Sequence, residues 1–213
     1  MPAAGGDHAG MTAAAGGTQA PGGTQAPCGV RAPDQAQEGG GLIVAVGSVD
    51  QAHLKYLELI LGEVLDLPFR ILDRPISADT AFDPVRRQWN AGKLLQVVDD
   101  LPASRGASRI LGITEVDLFI PILTFVFGLA FLDARTALTS THRLHPEFYG
   151  LPAAPDLVLR RLEKEALHEI GHTYGLKHCD DRGCVMHYSN TAEEVDLKDA
   201  RYCPACEVRV RLG

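Results

Sequence analysis

Two kinds of apolar pattern alternate along the chain. LIVAV (42–46), FRILD (69–73) and RILGIT (109–114) are short apolar runs that predict buried strands. Between them, Leu54, Leu57, Leu61 and Val64 recur at helical spacing over 51–64, and Leu94, Leu95, Val98 and Leu101 over 91–101. Each set marks one apolar face of a helix. The segments 117–122 and 128–132 read as further extended pieces, and TALTST (136–141) as a strand rich in β-branched residues. A longer helix follows Pro155-Asp156, with Asp156 expected as its N-cap and Leu159, Leu162, Ala166 and Ile170 as its apolar stripe. Strands alternating with helices predict an α/β (α+β) fold, a mixed twisted sheet packed on helices.

Composition sets the limits of this unit. Residues 1–41 hold 11 of the 22 glycines and 4 of the 13 prolines, contain GGTQAP twice in tandem, and have no aromatic residue. Such a segment buries too little apolar surface to offset chain entropy, so 1–41 is expected to be a flexible tail and 42–213 the folded domain. It lacks the basic start and apolar core of a secretory signal. The net charge of −7 argues against a nucleic-acid partner. The most apolar stretch, Leu118 to Leu132, has 15 residues and is broken by Pro121 and Gly128, too short for a membrane span of about 20.

The candidate chemistry begins inside the last helix. HEIGH (168–172) places His168 and His172 about 40° apart on one helical face, where both imidazoles can meet one metal ion. Two unrelated surface histidines are the alternative for a bare match of this kind. The run continues to HEIGHTYGLKH, however. On a continuous helix His178 would stand about 15 Å along the axis from His168. It joins the other two only if the chain leaves the helix and turns back, which Gly175 permits. Three neutral imidazoles leave one open tetrahedral position for water, as in a catalytic zinc site, and Glu169 lies where it can serve as general base. Cys179, Cys184, Cys203 and Cys206 form two pairs that suit a closed structural zinc site, with two disulfides as the alternative. The C-x-x-C pair and the missing secretory signal favour the metal in a reducing compartment.

This extended histidine motif resembles that of the metzincin metallopeptidases, in which a methionine turn follows. Met186 in CVMHYS takes that place, as an apolar floor beneath the histidines; ordinary core filling is the alternative. The runs HEIGHTYGLKHC, GCVMHYSNT and YCPAC, together with AFDPVRRQW (81–89), DLFIPILTFVFG (117–128) and LTSTHRLHPEFYG (138–150), are similar to the archaemetzincins over most of 42–206. The resemblance implies a compact metzincin-like domain with a long zinc-binding active-site helix and a zinc-stapled C-terminal segment. It implies two zinc ions per chain, one catalytic on His168, His172 and His178 and one structural on the four cysteines. It further implies a cytoplasmic peptidase acting on small peptides or in an aminopeptidase-like manner; the chain is expected to be a monomer. The competing reading is a zinc-stabilised peptide- or protein-binding module with little turnover.

Other residues carry weaker expectations. Tyr188 stands two positions after Met186, where the astacin branch of metzincins has a tyrosine that assists the metal; a core or surface tyrosine is expected here. His142, His145 and His187 are expected to bind neighbouring backbone or face solvent, since three histidines already suffice. Glu193, Glu194 and Asp196 read as a solvated face. In metzincins the strand above the cleft is an antiparallel edge, so the resemblance implies that TALTSTHRL (136–144) is open to pairing with a peptide; an edge closed by a loop is the alternative. Around Cys28, APCGVRAPD (26–34) resembles a cysteine-switch segment imperfectly, and a chance match in a biased tail is expected.

Overall fold

A computed structural model of the chain describes residues 39–213. The Cys28 segment and the expected tail up to residue 38 lie outside the described residues. The elements run β1 (Gly41–Val46), α1 (Gln51–Leu65), β2 (Phe69–Ile71), β3 (Phe82–Asp83), β4 (Gln88–Asn90), α2 (Ala91–Asp99), β5 (Arg109–Thr114), β6 (Leu118–Phe119), β7 (Gly128–Ala130), β8 (Thr136–Ser140), α3 (Pro155–Thr173), α4 (Ala192–Leu197) and α5 (Pro204–Leu212). Gly39 to Gly41, assigned to the tail by composition, belong to the described fold: Gly39 N–H donates to the Gly106 carbonyl, and Gly41 pairs with Phe69 and Arg109.

The main sheet has the order β2-β1-β5-β8-β7, with β7 antiparallel to β8 and the other neighbours parallel. Alternate side chains leave opposite faces of a strand. Leu42, Val44, Val46, Ile110 and Leu138 therefore pack with Leu94, Leu95 and Val98 of α2. Ile43, Ala45, Leu111, Ile113 and Ala137 pack with Leu57 and Leu61 of α1 and Leu162, Ala166 and Ile170 of α3. Burial on both faces is why β1 reads as a continuous apolar run. Asp50 caps α1 by accepting from Ala52 N–H, and Asn90 caps α2 by accepting from Lys93 N–H.

Several expectations need correction. TALTS is not an edge: β8 is enclosed between β5 and β7, and the edge strand is β7. The segment 117–122 contributes only Leu118–Phe119, in a separate small sheet ordered β3-β4-β6. Asp156 is not the N-cap. The helix begins at Pro155, which needs no N–H at its first position, and Asp156 lies in the first turn, where its charge suits the positive helix end. Glu193, Glu194 and Asp196 are exposed, as expected, but Asp196 is also bound: its carboxylate oxygens accept from Arg161 Nε and Nη2 at 2.8 and 2.7 Å, and the buried Arg161 also donates to the Leu144 carbonyl. That fork fastens α4 to α3. Among the described residues no helix is long and apolar enough to cross a membrane.

Candidate active site

The C-terminus of α3 shapes the site. Gly175 takes φ +77°, its N–H donates to the His172 carbonyl at 2.9 Å, and Leu176 N–H donates to the Gly171 carbonyl at 3.2 Å. This pair of bonds is a Schellman turn. It reverses the chain after one residue past the helix and brings His178 back to the two helical histidines. The ring centroids of His168, His172 and His178 lie 4.8–5.3 Å apart.

The turns also fix which nitrogens face inward. His168 Nδ1 is 2.8 Å from the Val185 carbonyl, and His172 Nδ1 is 2.7 Å from the Leu176 carbonyl. A carbonyl only accepts, so both Nδ1 atoms carry the proton and both Nε2 atoms present lone pairs. Those two Nε2 atoms are 3.2 Å apart. Two acceptors at that separation repel unless a cation lies between them. Tetrahedral zinc with Zn–N bonds of 2.0–2.1 Å separates its nitrogens by about 3.3 Å. One nitrogen from each of the three rings lies within 4.8 Å of the others. Burial is the main cause lowering all three imidazole pKa values, which keeps the rings neutral as metal ligation requires. The donor set fits zinc.

Glu169 is buried beside this group, 6% exposed. Burial raises its pKa well above the ordinary carboxylate value, and the charge of Glu165 one turn earlier adds to the rise. A carboxylate that holds a proton more readily suits a group that must take one up. β7 presses directly on it: a Cβ at Gly128 would come within 2.5 Å of Glu169 Cγ and of the Leu138 carbonyl oxygen. Gly128→Ala must therefore shift the edge strand or Glu169. A misplacement of about 1 Å at a reacting group costs up to about 10²-fold in rate. Steady-state kinetics on Gly128→Ala are expected to show a loss approaching that size, with zinc content unchanged.

Met186 is fully buried, and a Cβ on Gly171 would meet its Sδ at 2.3 Å. The thioether thus packs against α3 at Gly171, next to His172 in sequence, within the core that holds Ile170 and Tyr202. Tyr188 is exposed at the cleft, its ring 5.0 Å from that of His178. His187 Nδ1 meets the Cys179 carbonyl and His142 Nδ1 the Glu115 carbonyl, so both engage backbone as expected. His145 Nδ1 lies 3.8 Å from the Glu147 carboxylate, away from the cleft.

The four cysteines converge. All are free thiols, with sulfurs within 4.8 Å of one another and Cys179 Sγ 3.8 Å from Cys203 Sγ. Tetrahedral zinc with Zn–S bonds of 2.3 Å separates its sulfurs by about 3.8 Å. Cys203 N–H points at Cys184 Sγ from 3.3 Å, a bond that favours a thiolate there. Burial raises the Cys184 and Cys206 pKa values, so a metal entering here must displace protons. This donor set also fits zinc.

The model for peptidase family M54 matches residues 49–211 of this chain. The archaemetzincin of Methanocaldococcus jannaschii is 44% identical over 167 residues, covering 77% of this chain and 88% of that protein. The chain belongs to the archaemetzincins, peptidase family M54. It is therefore a zinc metallopeptidase. Among solved structures, a zinc-dependent peptidase from Methanocorpusculum labreanum superposes with a TM-score of 0.71 at 32% identity, covering 80% of this chain and 100% of that one. The Archaeoglobus fulgidus archaemetzincin, solved in complex with malonate, gives 0.69 at 31% identity, covering 79% and 99%. The archaemetzincin cleft, of about 370 Å³, is also lined by residues that sequence reasoning passed over: Gly128, Glu165, Ser189 and Lys198. Glu165 had a signal, because it lies four residues before Glu169 on the histidine face. Lys198 had none, because only the fold brings it to the cleft.

Proposed function

We propose that the chain hydrolyses small peptides, with His168, His172 and His178 holding a catalytic zinc, Glu169 handling the proton, and Cys179, Cys184, Cys203 and Cys206 holding a structural zinc. The observation that carries this reading is the pair of helical Nε2 lone pairs aimed at one point, with both Nδ1 atoms tied to backbone carbonyls. When bound there, zinc polarises the scissile carbonyl and acidifies a water at its open position. Glu169 takes the proton from the attacking water and passes it to the leaving amine. β7, the true edge, offers main-chain groups along which an extended peptide can align. The acidic net charge supports no nucleic-acid partner.

Elemental analysis combined with a diverse peptide library tests this. Two zinc ions per chain are expected, together with cleavage that a chelator abolishes and added zinc restores. The tris-histidine site, open on one side, should release its metal first. One zinc per chain would sink the two-site assignment. No cleavage with both sites loaded would leave the binding module instead.

A further inference from the structure

Lys198 directly follows α4, and its side chain turns inward. The residue is 2% exposed, yet it borders the catalytic cleft beside Ser189. Burying an ammonium costs several kcal/mol unless its hydrogens are well used. Here they are not. Glu165 Oε1 lies 2.9 Å from Nζ but off the line of a well-formed hydrogen bond, and the His187 carbonyl accepts at 3.3 Å. Among the described residues these are the two partners of a group with three N–H donors. Ser189 Oγ, buried at the same cleft, has no hydrogen-bond partner among the described residues. One cleft therefore holds two donors with capacity to spare, one of them charged.

We propose that Lys198 and Ser189 form a carboxylate-binding subsite, so that preferred substrates carry a carboxylate next to the scissile bond. The carboxylate is either an acidic side chain or the peptide's own C-terminus. The proposal rests on the peptidase reading above and narrows its substrate class. A carboxylate has lone pairs enough to accept from both donors at once, and charge-assisted bonds are about twice as strong as neutral ones. An amide or peptide carbonyl would meet the same donors without the charge. A basic side chain would meet the ammonium, which Glu165 faces at 2.9 Å without a well-formed hydrogen bond. Histidines aside, the acidic and basic side chains lining the cleft are Glu165, Glu169 and Lys198. With a dication on three neutral imidazoles the balance becomes positive, which again favours an anion.

Calorimetry on zinc-loaded Glu169→Gln, which keeps peptides uncut, tests the subsite. Matched peptides differ in one arm by Glu against Gln near the scissile bond, and in the other by a free against an amidated C-terminus. In one arm the acid should bind at least about 10-fold more tightly, the range of a hydrogen bond to a charged group, and the arm that responds identifies the source. The preference should vanish in the background of Glu165→Gln with Lys198→Met, which removes both charges and strands neither. If that protein does not retain zinc, Ser189→Ala decides, with an expected loss of about 2–10-fold in preference. Equal affinities in both arms, a preference that survives removal of the pair, or no change in Ser189→Ala would overturn the proposal. A carboxylate preference without any wild-type cleavage would sink the peptidase reading and leave the subsite standing.

Discussion

Replacing Glu169 by alanine is expected to lower kcat/KM by about 10²–10⁴-fold, the usual contribution of general-base help, with zinc content held at the wild-type value. The separation of roles follows from geometry. The three imidazoles supply the converging nitrogens, and the Glu169 carboxylate is not among the atoms that gather there. Stability should change little, because the substitution removes a buried charge one turn from Glu165 as well as side-chain packing against Gly128. His172→Ala should behave differently, losing one zinc and all cleavage while the cysteine cluster keeps its own. Fluorogenic peptide kinetics with elemental analysis on both variants distinguish the roles. Cleavage unchanged in Glu169→Ala would point to another base or to a contaminating protease, and loss of its zinc would make Glu169 structural.

The second large effect is expected at the thiols. Cys203→Ser should drop the zinc count by one and destabilise the domain by more than about 4 kcal/mol, the range reached when a folded unit loses its metal. Cys203 caps α5 and adjoins both Cys179 and Cys184, so its sulfur ties three segments together. Without the cluster, α5 keeps only contacts such as Arg209 Nε to the Tyr174 carbonyl and the burial of Val210. Urea unfolding of the zinc-loaded proteins measures the difference. A midpoint within error of the wild type would remove the cluster from the stability of the fold.

Much of this site was legible because its determinants are close in sequence. HEIGH sets two histidines one helical turn apart, and Gly175 announces the turn that returns His178. Cys203 and Cys206 likewise signal through a fixed short spacing. What the sequence concealed depends on pairing between distant segments. TALTS has the composition of any buried or edge strand, and only the docking of Gly128–Ala130 onto it decides that it is interior. Asp196 is solvated as it looked, but its ion pair was hidden because its partner, Arg161, lies 35 residues away on another helix. The start of α3 differed for a local reason, since Pro155 competes successfully for the first helical position and moves Asp156 inward. Lys198 shows the limit most plainly: nothing near it in sequence marks it as part of a cleft built mainly from residues 120–190.

His178 and Cys179 are consecutive, and the Cys179 N–H is held by the Met186 carbonyl while the Val185 carbonyl beside it holds His168. The two donor sets thus share one stretch of backbone, and an ion in either restrains the other. Such coupling is reciprocal by thermodynamic necessity: whatever factor the thiolate-bound ion adds to affinity at the histidines, the histidine-bound ion returns to the thiolates. Loading at one site would then favour loading at the other, although the open histidine site would still be the first to empty. Emptying the histidines would thus loosen the backbone that the cysteines hold, without itself removing the second ion.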